Sequence, residues 1–349
     1  MKRILHVLMS STFSGAENVV CQIISMYKND DVEMLYGGID GPVIRNALDE
    51  RGFKFIPMKK RSVSEVSRII KETKPDIIHA HDMKASYFVS LACGKIPFIS
   101  HIHNNNFDSR GLSLKSLLFY HAAKKAKHIF WVSNSSYEGY KFHDRFKDKS
   151  SVLYNVIDKA ALIKKMETDS SEYDFDIAYV GRLTEQKDPI RLMNVFADII
   201  KAMPDVKIAV AGTGDMAEQT ESFAKQLSIT DNVKFLGFMS NPYKLLYSSK
   251  LMIMTSRWEG TPMCALEAMA LGVPIVSTPT DGLCELVNDG KTGFLSSDNA
   301  VLSEKCIEII KDAGLRQTLS ENTLKKAEEL LLIPVYKAAL DAEYEKALM

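Results

Sequence analysis

The sequence predicts an α/β protein built of two parallel-sheet halves. Three observations carry that expectation. Apolar strand-like runs alternate with helical patterns along the whole chain, the mark of parallel sheets wrapped by helices. The alternation pauses in a polar stretch, Lys164 to Asp174, and starts afresh at Ile177. The length of 349 residues is enough for two domains, each with its own core.

Taken in order, the first half offers strands at Ile4–Leu8, Val32–Tyr36, Phe53–Pro57, Ile77–His79, Phe98–His103, Ile129–Val132 and Val152–Tyr154. The second offers Ile177–Val180, Ile208–Ala211, Val233–Leu236, Leu251–Met254, Ile275–Ser277 and a short piece at Phe294–Leu295. Helical patterns fill the gaps. The domains read as 1–165, a linker at 166–174, and 175–332. A closing helix, 333–349, is placed to pack back on the first domain. Two Rossmann-like halves of this kind hold ligands beyond the carboxyl ends of their strands, in the cleft between them.

An apolar fraction of 46% with 25% charged residues is that of an ordinary folded protein. Five scattered cysteines without a Cys-x-x-Cys pair argue against a disulfide framework and suit a reducing cytosol. The apolar run after Met1-Lys2-Arg3 is too short for a signal-peptide core, and no stretch approaches a membrane span. The net charge is zero but unevenly spread. Through Glu167 the chain carries 26 Lys/Arg against 17 Asp/Glu, an excess of +9, and the remainder carries −9. Two readings follow: the basic half meets an anionic partner such as a phospholipid surface, or the halves attract each other.

The most informative stretch is Ser256 to Glu267. It follows an apolar strand and reads as a loop opening onto a helix, with Thr261 at the N-cap and Pro262 at the first helical position. Its backbone N–H groups and the positive helix end would face an anion such as a diphosphate. Glu259 stands in the loop, and Glu267 lies about 7 Å further along the axis. Two carboxylates so spaced cannot share a proton, but they can bracket a ligand that has a sugar at one end and a ribose at the other. A plain amphipathic helix with two exposed glutamates is the competing reading.

The strand Ile177–Val180 ends at Gly181, which puts Arg182 and Lys187 on the loop beyond it. A guanidinium fork and a flexible ammonium five residues apart suit a diphosphate, and would stabilise the charge it gains as a sugar departs. Asp174-Phe175-Asp176 has the form of a metal motif but precedes its strand, so it reads as polar lead-in. The first strand runs into Ser14, Gly15 and Ala16 ahead of a helix. One glycine there does not make a dinucleotide fingerprint. His79, His81, His101 and His103 cluster at two strand ends. Only Asp82 is near enough to complete a zinc site, so a single histidine contacting substrate, His103, is the preferred reading. The segment 113–127 is a basic amphipathic helix: either a lipid-docking face or a solvated one.

Together these residues resemble glycosyltransferase family 4, of the GT-B fold, over nearly the whole chain. Ser14-Gly15-Ala16-Glu17 is similar to the family's Gly-Gly-Ala-Glu loop, and His103 falls at its histidine. Tyr154-Asn155-Val156-Ile157-Asp158 resembles its Asn-Gly-Val-Asp turn without the glycine. Gly181-Arg182-Leu183 through Lys187 resembles its phosphate site, with Asp188 for glycine. Glu259 to Glu267 is similar to its Glu-x7-Glu motif, and Asp281-Gly282-Leu283-Cys284-Glu285 to its Gly-Gly-x-x-Glu turn.

The resemblance implies a retaining transferase that uses a nucleotide-sugar, most readily a UDP-sugar, and needs no metal or other cofactor. By analogy Arg182 and Lys187 hold the diphosphate, aided by backbone of Gly260, Thr261, Pro262 and Met263. Glu267 binds the ribose, Glu259 the donor sugar, and Gly237 and Phe238 flank the base. Gly181 and Asn155 join the donor side, and Ser14, Gly15, Ala16 and His103 serve the reacting centre and the acceptor. The implied acceptor is a glycan or polyprenyl-diphosphate-linked sugar in surface polysaccharide synthesis, met in the cytoplasm, with the basic half peripheral on the membrane. Nucleic acid is not an expected partner. Two alternatives stay open: a UDP-sugar 2-epimerase of the same architecture, and a non-enzymatic nucleotide-sugar or nucleic-acid binding protein.

Overall fold

The computed structural model describes residues 1–10, 13, 15–104 and 109–349. The chain divides into two compact units, Met1–Val156 with Leu332–Met349, and Ile157–Leu331.

The first unit is a seven-stranded parallel sheet. Its strands are β1 (Lys2–Val7), β2 (Val32–Ile39), β3 (Phe55–Met58), β4 (Ile77–His81), β5 (Phe98–Ile102), β6 (His128–Trp131) and β7 (Ser150–Val152), in the order β3-β2-β1-β4-β5-β6-β7. β4 and β5 are buried at every position, as expected of strands covered on both faces. β7 sits two residues earlier than its apolar pattern suggests. Its serines are satisfied at the edge: Trp131 Nε1 donates to Ser150 Oγ at 3.1 Å, and His128 Nε2 lies 2.8 Å from Ser151 Oγ. The last helix, Ile333–Leu348, belongs to this unit. Its buried residues Tyr336, Leu340, Tyr344 and Ala347 form one helical face. Tyr27 Oη donates to Asp341 at 2.7 Å, and Lys337 pairs with Asp30 at 2.6 Å.

The second unit is a six-stranded parallel sheet. Its strands are β8 (Ile177–Val180), β9 (Ile208–Ala211), β10 (Val233–Gly237), β11 (Leu251–Met254), β12 (Ile275–Ser277) and β13 (Gly293–Leu295), in the order β10-β9-β8-β11-β12-β13. The polar stretch read as a linker lies inside this unit. Asp158 caps the helix Lys159–Glu167 by accepting from Ala161 N at 2.9 Å. Asn241 Nδ2 donates to Lys165 O at 2.8 Å, and Lys244 Nζ to Asp169 O at 2.7 Å. Polarity alone therefore does not separate the domains here, because the stretch finds partners on one of them.

Candidate functional site

Each sheet reverses its strand order once, between β1 and β4 and between β8 and β11. Loops diverge at such a point and leave a crevice at the carboxyl ends. In the second unit the two loops are 181–188, after β8, and 255–262, after β11. They carry the residues expected to meet the donor.

The loops are joined by a buried ion pair. Lys187 Nζ lies 2.5 Å from Glu259 Oε1, with the side chains only 9% and 4% exposed. Burial works against the Lys187 charge, but Glu259, together with the Cys264 thiol, offsets it and the ammonium is held above its ordinary range. Arg182 is exposed, and its Nη2 donates to Gln186 Oε1 at 3.2 Å. Gln186 in turn donates to Trp258 O at 3.0 Å and reaches Glu259 Oε2 at 3.4 Å. Gln186 carries no local signal in the sequence, because its contacts lie on a loop 72 positions away. Two expected ligand contacts, Lys187 and Glu259, are thus partners of each other before any ligand arrives.

The helix after the second loop runs Met263–Ala270 and starts one residue later than expected. Pro262 is its N-cap, in extended backbone and without a side-chain cap, so Thr261 stands outside the helix. The ring's fixed φ serves both places, which is why sequence could not choose between them. Glu267 is buried on the fifth residue of the helix, and burial pushes its carboxyl up to about 7. Tyr243 Oη donates to Glu267 Oε1 at 3.3 Å. Cys264 lies within electrostatic reach of Lys187, Glu259 and Glu267, and burial raises its thiol to about 11.

The departures from the family pattern are explained locally. Asp188 has φ 48°, in the left-handed region where glycine is the usual choice, and its carboxylate caps the helix Pro189–Ala202 through Arg191 N. It also binds Arg257 Nε at 3.0 Å. Asp281, at φ 35°, accepts from Glu259 N at 3.3 Å. In both cases the side chain makes contacts that a glycine could not. Two true glycines are obligatory. A Cβ on Gly282 would lie 1.6 Å from Gly260 O, and one on Gly212 would lie 1.8 Å from Gly181 O.

Gly237 ends β10 at φ 67°, and Gly212 N donates to Gly237 O at 2.7 Å, which brings that turn beside Gly181. Phe238 beyond it is 70% exposed. The hydroxyls of Thr184, Ser256 and Thr280, on loops after β8, β11 and β12, are buried without a hydrogen-bond partner among the described residues.

The first unit carries the remaining expected residues. Gly15 opens the helix Gly15–Met26, with Ala16 half-buried and Glu17 buried. Ser14 lies outside the described residues. His103 is buried, and its backbone N donates to Asp82 Oδ1 at 2.9 Å. Asn155, expected on the donor side, is buried in this unit rather than in the one that holds Arg182 and Lys187. His6, unsuspected from sequence, joins the histidine cluster from β1. The rings of His6, His79 and His81, and of His81, His101 and His103, form two groups with nitrogens within 4.8 Å.

Residues 13–161 match the model described as Glycosyltransferase Family 4, and residues 163–326 match Glycosyl transferases group 1. The chain is 26% identical over 294 residues to the N-acetyl-alpha-D-glucosaminyl L-malate synthase of Bacillus anthracis, covering 79% of this chain and 76% of that one. It is 23% identical over 329 residues to the UDP-Gal:alpha-D-GlcNAc-diphosphoundecaprenol alpha-1,3-galactosyltransferase of Escherichia coli, covering 86% and 85%. The crystal structure of Anabaena HepE in complex with UDP-glucose superposes with a TM-score of 0.86 at 20% identity, over 99% of this chain and 100% of that one. Two parallel-sheet units with this strand order, in a chain matched by both models in turn, place the protein in glycosyltransferase family 4: it has the GT-B fold and is a glycosyltransferase.

Proposed function

We propose that the protein moves a sugar from a UDP-sugar to a hydroxyl of a glycan or lipid-linked acceptor, with retention and without a divalent metal. The observation that carries this reading is the pair of loops that follow β8 and β11 in the second unit. A buried Lys187–Glu259 pair and an exposed Arg182 stand on these loops, and a buried Glu267 on the helix that follows the second. Arg182 and the two spare protons of Lys187 Nζ meet the diphosphate, whose charge grows as the sugar leaves. This is a cation's work done by side chains. Glu259, held by Lys187 and by Asp281, faces the donor sugar, and Glu267 accepts from the ribose hydroxyls. Gly15, Ala16 and His103 serve the acceptor half. With no carboxylate assigned as nucleophile, the leaving phosphate takes the acceptor's proton and attack comes from the same face. Support for UDP comes from the HepE complex and from the donor named in the E. coli relative.

Thermal shift and calorimetry against UDP-, GDP- and CDP-sugars in EDTA test the donor side, with hydrolysis followed in the same tubes. Selective stabilisation by UDP-sugars without metal is expected. Binding that strictly needs a divalent metal, or no nucleotide binding, overturns the reading. Donor consumed as fast without acceptor as with it points to an epimerase.

A lipid-linked acceptor calls for a membrane face. No described helix is long and apolar enough to cross a membrane. The helix Leu114–Lys125 buries Ser116, Phe119, Ala122 and Ala123 and exposes Leu114, Leu117, His121 and Lys124. Leu112 and Leu114 are each 74% exposed at the start of the helix, and Lys124, Lys125 and Lys127 are exposed at its far end, about 16 Å along the axis. Leucines in the acyl boundary with lysines at phosphate level make an interfacial helix. The protein should therefore pellet with phosphatidylglycerol vesicles and not with phosphatidylcholine ones. The double variant Leu114→Glu, Leu117→Glu should stay in the supernatant. Equal pelleting of both proteins removes this face from the proposal.

A further inference from the structure

Five histidines of the first unit are buried together: His6 on β1, His79 and His81 on β4, His101 on β5 and His103 just after it. Residues two apart on a strand share a face, so the rings stack. His79–His81 and His101–His103 have centroids 4.4 Å apart, with planes 23° and 24° from parallel. Lone pairs lie in the ring plane, so stacked rings aim their nitrogens side by side rather than at one point. The facing nitrogens instead bond ring to ring. His6 Nδ1 lies 2.9 Å from His81 Nε2, and His81 Nδ1 lies 2.8 Å from His103 Nε2. Burial keeps the rings neutral, so each contact holds one proton.

The direction of this chain is set at its far end. His6 Nε2 meets Met34 Sδ at 3.3 Å. A thioether accepts weakly and has no proton to donate. His6 Nε2 therefore carries a proton, and His6 Nδ1 must accept. His81 Nε2 then donates, His81 Nδ1 accepts, and His103 Nε2 donates. The reverse order would set the His6 lone pair against those of the sulfur. What is left over is His103 Nδ1, a bare lone pair, buried and without a partner among the described residues.

We propose that His6 and His81 are positioning residues: polarised from the Met34 sulfur, they hold His103 in its Nε2–H tautomer. Its Nδ1 is then a fixed acceptor for a ligand's O–H or N–H and not a donor to an oxyanion. This rests on the placing of His103 against substrate, and it narrows what His103 can bind. It recognises a hydroxyl, while the diphosphate belongs to Arg182 and Lys187.

The test is the 15N spectrum of the full-length protein labelled in histidine, without ligand, with His103 assigned by the signals lost in His103→Asn. The expected result is a pyridine-type Nδ1 and a pyrrole-type Nε2 at His103. A protonated Nδ1, or exchange between the two forms, overturns the proposal. His81→Phe sets carbon against His103 Nε2, so the proton should move to Nδ1. His81→Asn, whose carbonyl oxygen falls near the position of ring Nδ1, should restore the native tautomer. Identical His103 signals in the wild type and His81→Phe also overturn it. A native tautomer in the wild type, lost in His81→Phe with turnover unchanged, upholds the relay and instead removes His103 from the substrate.

Discussion

Lys187→Ala is expected to lower turnover by about 100- to 1000-fold, the usual cost of losing one preorganised group that faces charge developing in the transition state. The same substitution should destabilise the protein by about 3–5 kcal/mol, because removing one partner of a buried ion pair strands the other. Glu259 would be left 3% exposed, with only the long contact from Gln186 and the backbone contact to Asp281. Arg182→Ala is the control. Arg182 is exposed and holds only a 3.2 Å bond to Gln186, so its loss should cost turnover similarly but stability no more than about 0.5 kcal/mol. Kinetics and urea unfolding on the two variants separate the roles. Near-normal turnover in both would remove the diphosphate assignment. An unchanged unfolding midpoint in Lys187→Ala would mean that the pair does not form in solution.

Glu267→Gln should abolish a pH dependence that the native protein shows in two opposite senses. With its carboxyl at about 7 against an ordinary 4.5, the folded protein keeps a proton that the unfolded chain releases between those values. Its contribution to stability is therefore complete below pH 4.5 and is lost as pH rises to about 7, by roughly 3 kcal/mol in all. Donor binding runs the other way, since accepting two ribose hydroxyls needs the ionised form. Affinity for a UDP-sugar, whose diphosphate does not titrate in this range, should rise about tenfold between pH 6 and pH 8. Calorimetry at the two pH values measures it. A flat profile in the native protein would take Glu267 out of the ribose role, whereas a profile that persists in Glu267→Gln would assign the titration to another group.

These outcomes divide along the same line as what could be read before the structure. The thirteen strands among the described residues are legible, because short apolar runs between turn signals are a local property of the chain. So are the loops that end β8 and β11, since Arg182, Lys187, Glu259 and Glu267 lie at spacings counted along the sequence. The sequence pattern places the helix start one residue before Met263, because Pro262 fits the cap and the first turn equally well. The polarity of the stretch 164–174 suggests a linker at 166–174, but polarity reports solvation and not attachment, and Asn241 and Lys244 hold this stretch to the second unit.

By its sequence alone, then, this protein was determined to be two parallel sheets with charged loops at their carboxyl ends, because strand and loop identity depend on neighbours a few residues away. Only the tertiary structure decided how the charges are spent. Lys187 meets Glu259 across 72 positions, and His6 meets His81 across 75. The first pairing turns a free cation into one already neutralised, and the second turns a cluster of rings into a directed chain. Neither leaves a local mark on the sequence, because each is set by the strand order that brings β1 beside β4 and β8 beside β11.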